Sequence, residues 1–292
     1  MLKIERRIIE LVERHLYLLC VLLLSCLALY LRRTAVWWNY SSVASYFDMH
    51  ENYTQTPVYF LVVRLVQYLP FLPLHSIKYI AAMSDFGVAV FIVHLLGRDA
   101  DARKKLIFFT VFLFSPVLFL RGIIWAQPDS LGILLLLFGY ALQGGEQKNG
   151  RVSVFLAFLA VIGAISLCPC LLLIVLFYLW HKKETQQAFW MRAAAIIAGG
   201  LSVQMISALL LGENWTNGLY SITRFLTYHP ESGMRYQDAA EWLLQMIYLY
   251  CPAAAVITAL AAARHRISYG WTIGIQIVAS ALYGSVLFTE LP

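Results

Sequence analysis

The chain has 292 residues, 61% of them hydrophobic and only 13% charged, with a formal net charge of +6. An average soluble domain carries about 25% charged residues, so this composition excludes a water-soluble globule, and a mean hydropathy of +0.70 agrees. The positive balance does not point to nucleic acid, because the basic residues are scattered at the ends of apolar runs, where membrane topology places them.

The first 15 residues are basic and amphipathic and run directly into the apolar stretch 16–31. Arg32 and Arg33 follow it, rather than the small residues of a cleavage site, so a retained first span is expected. Segment 32–76 comes next. Within it, 57–70 is apolar but short and carries Arg64 and Gln67 between two prolines, which predicts a helix lying in the membrane interface. Further apolar runs predict spans at 77–96, 105–120, 129–143, 152–166, 169–180, 190–211, 242–262 and 269–289. The fold class that follows is an all-α polytopic membrane protein, a single domain over 1–292 with about nine transmembrane helices.

Basic residues mark one side. Lys3, Arg6, Arg7 and Arg14 precede the first span, and the joints with Arg98, Arg103, Lys104 and Lys105, with Lys148 and Arg151, with Lys182, Lys183 and Arg192, and with Arg264 and Arg266 alternate with joints poor in base. By the positive-inside rule these are cytoplasmic, as is the N-terminus. The outer side then receives two long segments, 32–76 and 212–241, and a short one at 121–128. Chemistry is expected there. The five cysteines all lie in apolar stretches without paired CxxC spacing, so neither a disulfide framework nor a zinc site is expected.

Ionisable groups inside spans demand an explanation, since a carboxylate at the bilayer centre costs about 2.5 to 3.5 kcal/mol on insertion scales. Asp85 should face the bundle interior, either in an ion pair with Lys78 or an arginine of the outer segments, or against substrate. Asp129 lies in Trp125-Ala-Gln-Pro-Asp-Ser130, where Pro128 suits the first turn of a helix and Asp129 its free amides. A helix cap accounts for Asp129 alone. It does not account for Arg121 and Gln127 at the same depth, a polar stretch that lipid penalises unless it lines a protein cavity. The outer segments add Arg32, Arg33, Asn39, Asp48, His50, Glu51 and Arg235, among which the arginines suit a phosphate because their planar fork binds oxyanions bidentately.

The order of these features resembles the GT-C superfamily of integral-membrane glycosyltransferases, nearest in pattern to bacterial members related to mannosyltransferases. Phe114-Ser-Pro-Val and Trp125-Ala-Gln-Pro-Asp-Ser130 are similar to that family's S/TP…WGQxDS stretch, Asn52-Tyr-Thr-Gln-Thr-Pro57 to its NYxxPxxY segment, and His75-Ser-Ile-Lys-Tyr with Ser84-Asp-Phe to its LxxIK…D pattern. The resemblance covers about the first 180 residues. It implies a GT-C-like bundle in the bacterial plasma membrane that moves a sugar from a polyprenyl-phosphate donor to a glycan, lipid or protein acceptor on the outer face. It implies inversion at the anomeric carbon, no cofactor and no clear requirement for a divalent metal.

Two positions depart from the family's pattern. Asn39 stands where the catalytic aspartate follows the first span, and Ser166-Leu-Cys-Pro-Cys170 stands where an FKxQ-like stretch is expected. An amide cannot serve as a base. On the enzyme reading Asp48 or Glu51, in the same loop, takes that role, with Arg33, Arg121 or Arg235 near the phosphate and Asn39, Lys78, Asp85, Gln127 and Asp129 around the substrate. Two alternatives stand beside it: a non-catalytic GT-C-like subunit that binds a lipid-linked glycan or a partner enzyme, and, ranked lowest, a small lipid flippase or transporter.

Overall fold

The computed structural model describes residues 3–37, 56–70, 72–96, 100–124, 126–127, 129–144, 151–169, 171–181, 185–217, 219, 238–240, 242–243 and 268–290. Among them every regular element is helical. The order is α1 (Lys3–Val36), α2 (Pro57–Val66), α3 (Pro73–Leu95), α4 (Ala102–Leu113), α5 (Pro116–Phe119), a π-helical turn (Leu120–Ile124), α6 (Asp129–Gly144), α7 (Arg151–Leu167), α8 (Leu171–His181), α9 (Gln186–Leu210) and α10 (Tyr269–Glu290). Among the described residues four stretches are long and apolar enough to cross a membrane: His15–Val36, Leu74–Leu95, Ala102–Ile124 and Gln186–Leu210. The all-helical membrane architecture expected from composition is therefore present. The expected spans at 129–143, 152–166 and 169–180 appear as shorter apolar helices, and 244–267, which holds most of the expected span 242–262, lies outside the described residues.

Local sequence sets the joints. Lys3–Val36 contains no glycine or proline, so α1 runs unbroken for 34 residues. Proline begins α2, α3 and α5, where its missing amide costs nothing because the first helical amides have no intrahelical partner. The same Pro116 ends α4, since a proline there removes one bond of the continuing ladder. At the far end of α9, Gly212 adopts φ +83°, and Glu213 N–H donates to the Ala208 carbonyl at 2.9 Å. That is a left-handed helix terminus closing the last turn.

Packing relies on small residues, as it must where lipid offers no hydrophobic contrast between helices. Gly132 and Gly139, two turns apart on α6, bring its backbone onto α7: a Cβ at either would lie 3.2 Å from the Ala164 carbonyl oxygen or 3.1 Å from that of Ala157. On α3, Gly87 admits Leu134 of α6, whose Cδ2 would stand 2.8 Å from an added Cβ. Around these approaches Val88, Ile92, Phe112, Ile133 and Leu137 form the core. By contrast α1 is peripheral. It buries the narrow stripe Ala28, Arg32, Ala35 and Val36 and exposes Leu16, Leu19, Leu23 and Leu27.

The interfacial helix expected at 57–70 is a ten-residue helix with Pro57, Tyr59, Phe60, Val63 and Val66 buried. Two contacts lay it along α9. Val58 N–H donates to Gln204 Oε1 at 3.3 Å, and Arg64 Nη1 lies 3.5 Å from the Leu211 carbonyl oxygen, at the limit of a hydrogen bond. Six residues on α2 match seven on α9, so the two run side by side in the same direction. Gln204 also donates through Nε2 to the Ser166 carbonyl at 2.7 Å, and Thr56 Oγ1 donates to that same oxygen at 3.3 Å. One amide side chain thus ties the start of α2 and the end of α7 to α9.

Candidate functional site

The polar groups gather where α1, α3, the broken helix α4–α5 and the start of α6 meet. Ending α4 at Leu113 leaves carbonyls without the amides a continuous helix would supply. Arg32 takes one of them, donating through Nη2 to the Leu113 carbonyl oxygen at 2.8 Å. The same guanidinium pairs with Asp85, with Nη2 and Nε at 2.9 and 3.3 Å from Oδ2. Phe86 and Phe119 flank it, their ring centroids 5.4 and 5.6 Å from Cζ. Asp85 completes its shell by accepting from Ser130 Oγ at the start of α6. Both charges are buried, so this pair is held by close geometry and full hydrogen bonding rather than by water.

One residue before Ser130, Asp129 faces Arg121. Its Oδ2 lies 2.6 Å from Arg121 Nε, yet the N–H is not aligned on it, and the contact is an ion pair rather than a directed hydrogen bond. Arg121 Nη2 donates to Gln127 Oε1. Arg121 sits in the π-helical turn, and the chain folds back on it: Gln127 N–H donates to the Arg121 carbonyl at 3.0 Å, across Ala126 at φ +54°. A left-handed alanine is strained by about 1 to 2 kcal/mol. Here the strain serves to turn Gln127 back toward Arg121. Arg121, Gln127 and Asp129 are each less than a tenth exposed.

Lys78 is fully buried one helix over. Its Nζ donates to the carbonyl of Val36, the last residue of α1, at 3.1 Å, a cation set on the negative end of a helix. Beside it, Trp37 packs edge-on against His75 with centroids 4.6 Å apart.

Of the residues expected at the site, Arg121, Gln127 and Asp129 come together, and Asp85 stands two bonds away through Ser130. Lys78 caps α1 and is not the partner of Asp85; that partner is Arg32, the arginine that ends the first span. Arg33, adjacent in sequence, points away and is exposed. Asn39, Asp48, Glu51 and Arg235 lie outside the described residues. Among the described residues no group of three or more His, Cys, Asp or Glu is arranged to hold a metal ion. Ser130 and Gln204 were not singled out in the sequence. Gln204 carried a signal, an amide inside an otherwise apolar run; Ser130 carried one only through its neighbour Asp129.

Chemically, the two carboxylates are each met by a guanidinium, which fixes their orientation. The Gln127 amide and the Asp129 carboxylate offer the donor and acceptors that polyhydroxyl ligands need. No protein-family model matches the chain, and no curated protein or solved structure matches it.

Proposed function

We propose that the chain is a GT-C-type glycosyltransferase of the bacterial plasma membrane, moving a sugar from a polyprenyl-phosphate donor to an acceptor hydroxyl on the outer face. One observation carries this reading. Ala126, where the resembled WGQxDS stretch has glycine, holds φ +54°, a backbone state that glycine adopts without cost. The turn it makes sets Gln127 and Asp129 against Arg121. That the motif-like residues share a glycine-favouring turn and contact one another supports the reading. Broken, polar backbone at membrane depth is tolerated only where it is sheltered by protein or lines a cavity.

In this reading the chain crosses the membrane about nine times with its N-terminus in the cytoplasm. The segment 57–70 reaches the outer interface at its Arg64 end, and its other end descends beside α9. The acceptor oxygen attacks the anomeric carbon, the bond from that carbon to the lipid phosphate oxygen breaks, and the acceptor proton passes to a carboxylate, Asp48 or Glu51. The anomeric configuration inverts. The phosphate leaves as a stabilised anion and needs a cation more than an acid. Arg33 and Arg235 are the arginines left for it, because Arg121 is engaged by Asp129 and Gln127. Asn39, Lys78 and Asp85 belong to the surrounding substrate wall, Asp85 by fixing Ser130. Asp48→Asn combined with Glu51→Gln is expected to abolish transfer while the protein still inserts in the membrane; full activity in that variant removes the assignment.

A second reading, a non-catalytic subunit that binds a lipid-linked glycan, is favoured by Asn39 at the position of the family's aspartate. Asn39→Asp separates the two: activity that appears or rises with the aspartate places this position at the donor.

A further inference from the structure

Segment 113–130 carries Arg121, Gln127 and Asp129, and one guanidinium from another helix meets it at three places. At one end Arg32 of α1 donates through Nη2 to the Leu113 carbonyl oxygen at 2.8 Å. In the middle the Phe119 ring lies 5.6 Å from its Cζ. At the far end the contact runs through Asp85: Oδ2 takes Nη2 and Nε of Arg32, and Oδ1 accepts from Ser130 Oγ. Arg32, Asp85 and Ser130 are all buried, so these bonds are shielded from bulk water. Between the two ends the chain is helical only in short pieces, broken at Pro116, at the π-helical turn and at Ala126. It has little hydrogen-bond ladder of its own to fix its path.

We propose that Arg32 is a positioning residue for the sugar-binding wall: through the Leu113 carbonyl at one end, and through Asp85 and Ser130 at the other, it clasps segment 113–130 so that Gln127 and Asp129 stay against Arg121. Asp129 needs such a hold. Its Oδ2, the oxygen facing Arg121, accepts no directed hydrogen bond, and charge attraction without an aligned N–H sets a distance more firmly than a direction. The direction of the carboxylate therefore comes from the backbone at the start of α6, the turn that the Ser130 hydroxyl ties down one residue later. The planar fork of an arginine suits the task, because it reaches a carbonyl and a carboxylate at once. The part of the clasp in substrate binding rests on the glycosyltransferase reading; the clasp itself does not.

Ser130→Ala opens one end of the clasp and leaves the Arg32–Asp85 pair in place, whereas Ser130→Thr keeps the hydroxyl. Hydrogen exchange of the full chain in lipid nanodiscs over 120–130 is expected to be about tenfold faster in Ser130→Ala, as loss of a hydrogen bond to a charged group implies. Ser130→Thr should restore the parent's rate, and 88–95 of α3 should stay protected in both. Arg32→Lys, which keeps the charge but not the fork, opens the clasp independently and should give the same local pattern. With a polyprenyl-phosphate sugar, Ser130→Ala should raise KM several-fold with a smaller change in kcat, the mark of weakened ground-state binding. Unchanged exchange over 120–130 in Ser130→Ala and Arg32→Lys, or equal acceleration over 88–95, overturns the clasp; local loosening at the parent's KM overturns its part in binding. A parent that binds no donor, in which the local loosening is nevertheless seen, retires the transfer reading and leaves the clasp standing.

Discussion

Replacing Ala126 by glycine tests the turn on which the site depends. At φ +54° an L-residue is disfavoured by about 1 to 2 kcal/mol, and glycine is not. Against that relief stand the added freedom of an unfolded glycine, about 0.4 to 1 kcal/mol, and the loss of one fully buried methyl group, about 0.8 kcal/mol. The terms nearly cancel, so Ala126→Gly should leave stability within about 1 kcal/mol of the parent. A control is Ala89→Gly, equally buried but in the middle of α3. There glycine loses about 1 kcal/mol of helix propensity and the same methyl burial, about 2 kcal/mol in all. Ala126→Val, which puts a β-branched residue into the left-handed region, should be worse than either. Denaturant unfolding in detergent, followed by circular dichroism, measures all three. Equal losses for Ala126→Gly and Ala89→Gly would refute a left-handed residue 126 and with it the fold-back that joins Gln127 to Arg121.

Other outcomes follow from the buried contacts. Arg32→Met should cost about 3 to 5 kcal/mol in detergent unfolding, because it strands the Asp85 charge; adding Asp85→Leu should recover much of that loss, and an additive double variant contradicts the pairing. Gln204→Leu removes one of two donors to the Ser166 carbonyl, which Thr56 still meets, and the acceptor of the part-buried Val58 amide, a loss of at most about 1 to 3 kcal/mol. Hydrogen exchange over 57–66 should speed up while 81–92 stays protected. Gly139→Leu should destabilise by at least about 1 to 3 kcal/mol, since its side chain meets the Ala157 backbone, whereas Gly274→Ala, with nothing within 4 Å, should be tolerated.

Helix placement was legible because a bilayer forces apolar runs and charged joints apart, and prolines at 57, 73 and 116 mark three helix starts. The continuation of α1 back to Lys3 was not, because its basic amphipathic start lacks the apolar run that marks a span, although it contains no residue that stops a helix. At the site, Asp129, Gln127 and Arg121 were legible as polar groups at membrane depth. The partner of Asp85 could be narrowed only to Lys78 or an arginine: sequence shows no helix rotation, and it is the stripe Ala28, Arg32, Ala35 that turns Arg32 inward and leaves Arg33 outside. Lys78 was misleading for a related reason. The end of α1 presents a carbonyl at its level, and the Lys78 ammonium donates to it.

The transfer reaction itself is tested by reconstituting the purified protein with a radiolabelled polyprenyl-phosphate sugar and following release of the lipid phosphate. Release is expected to depend on an acceptor and to vanish in the Asp48→Asn, Glu51→Gln variant. Donor bound without turnover, or no donor bound at all, contradicts it.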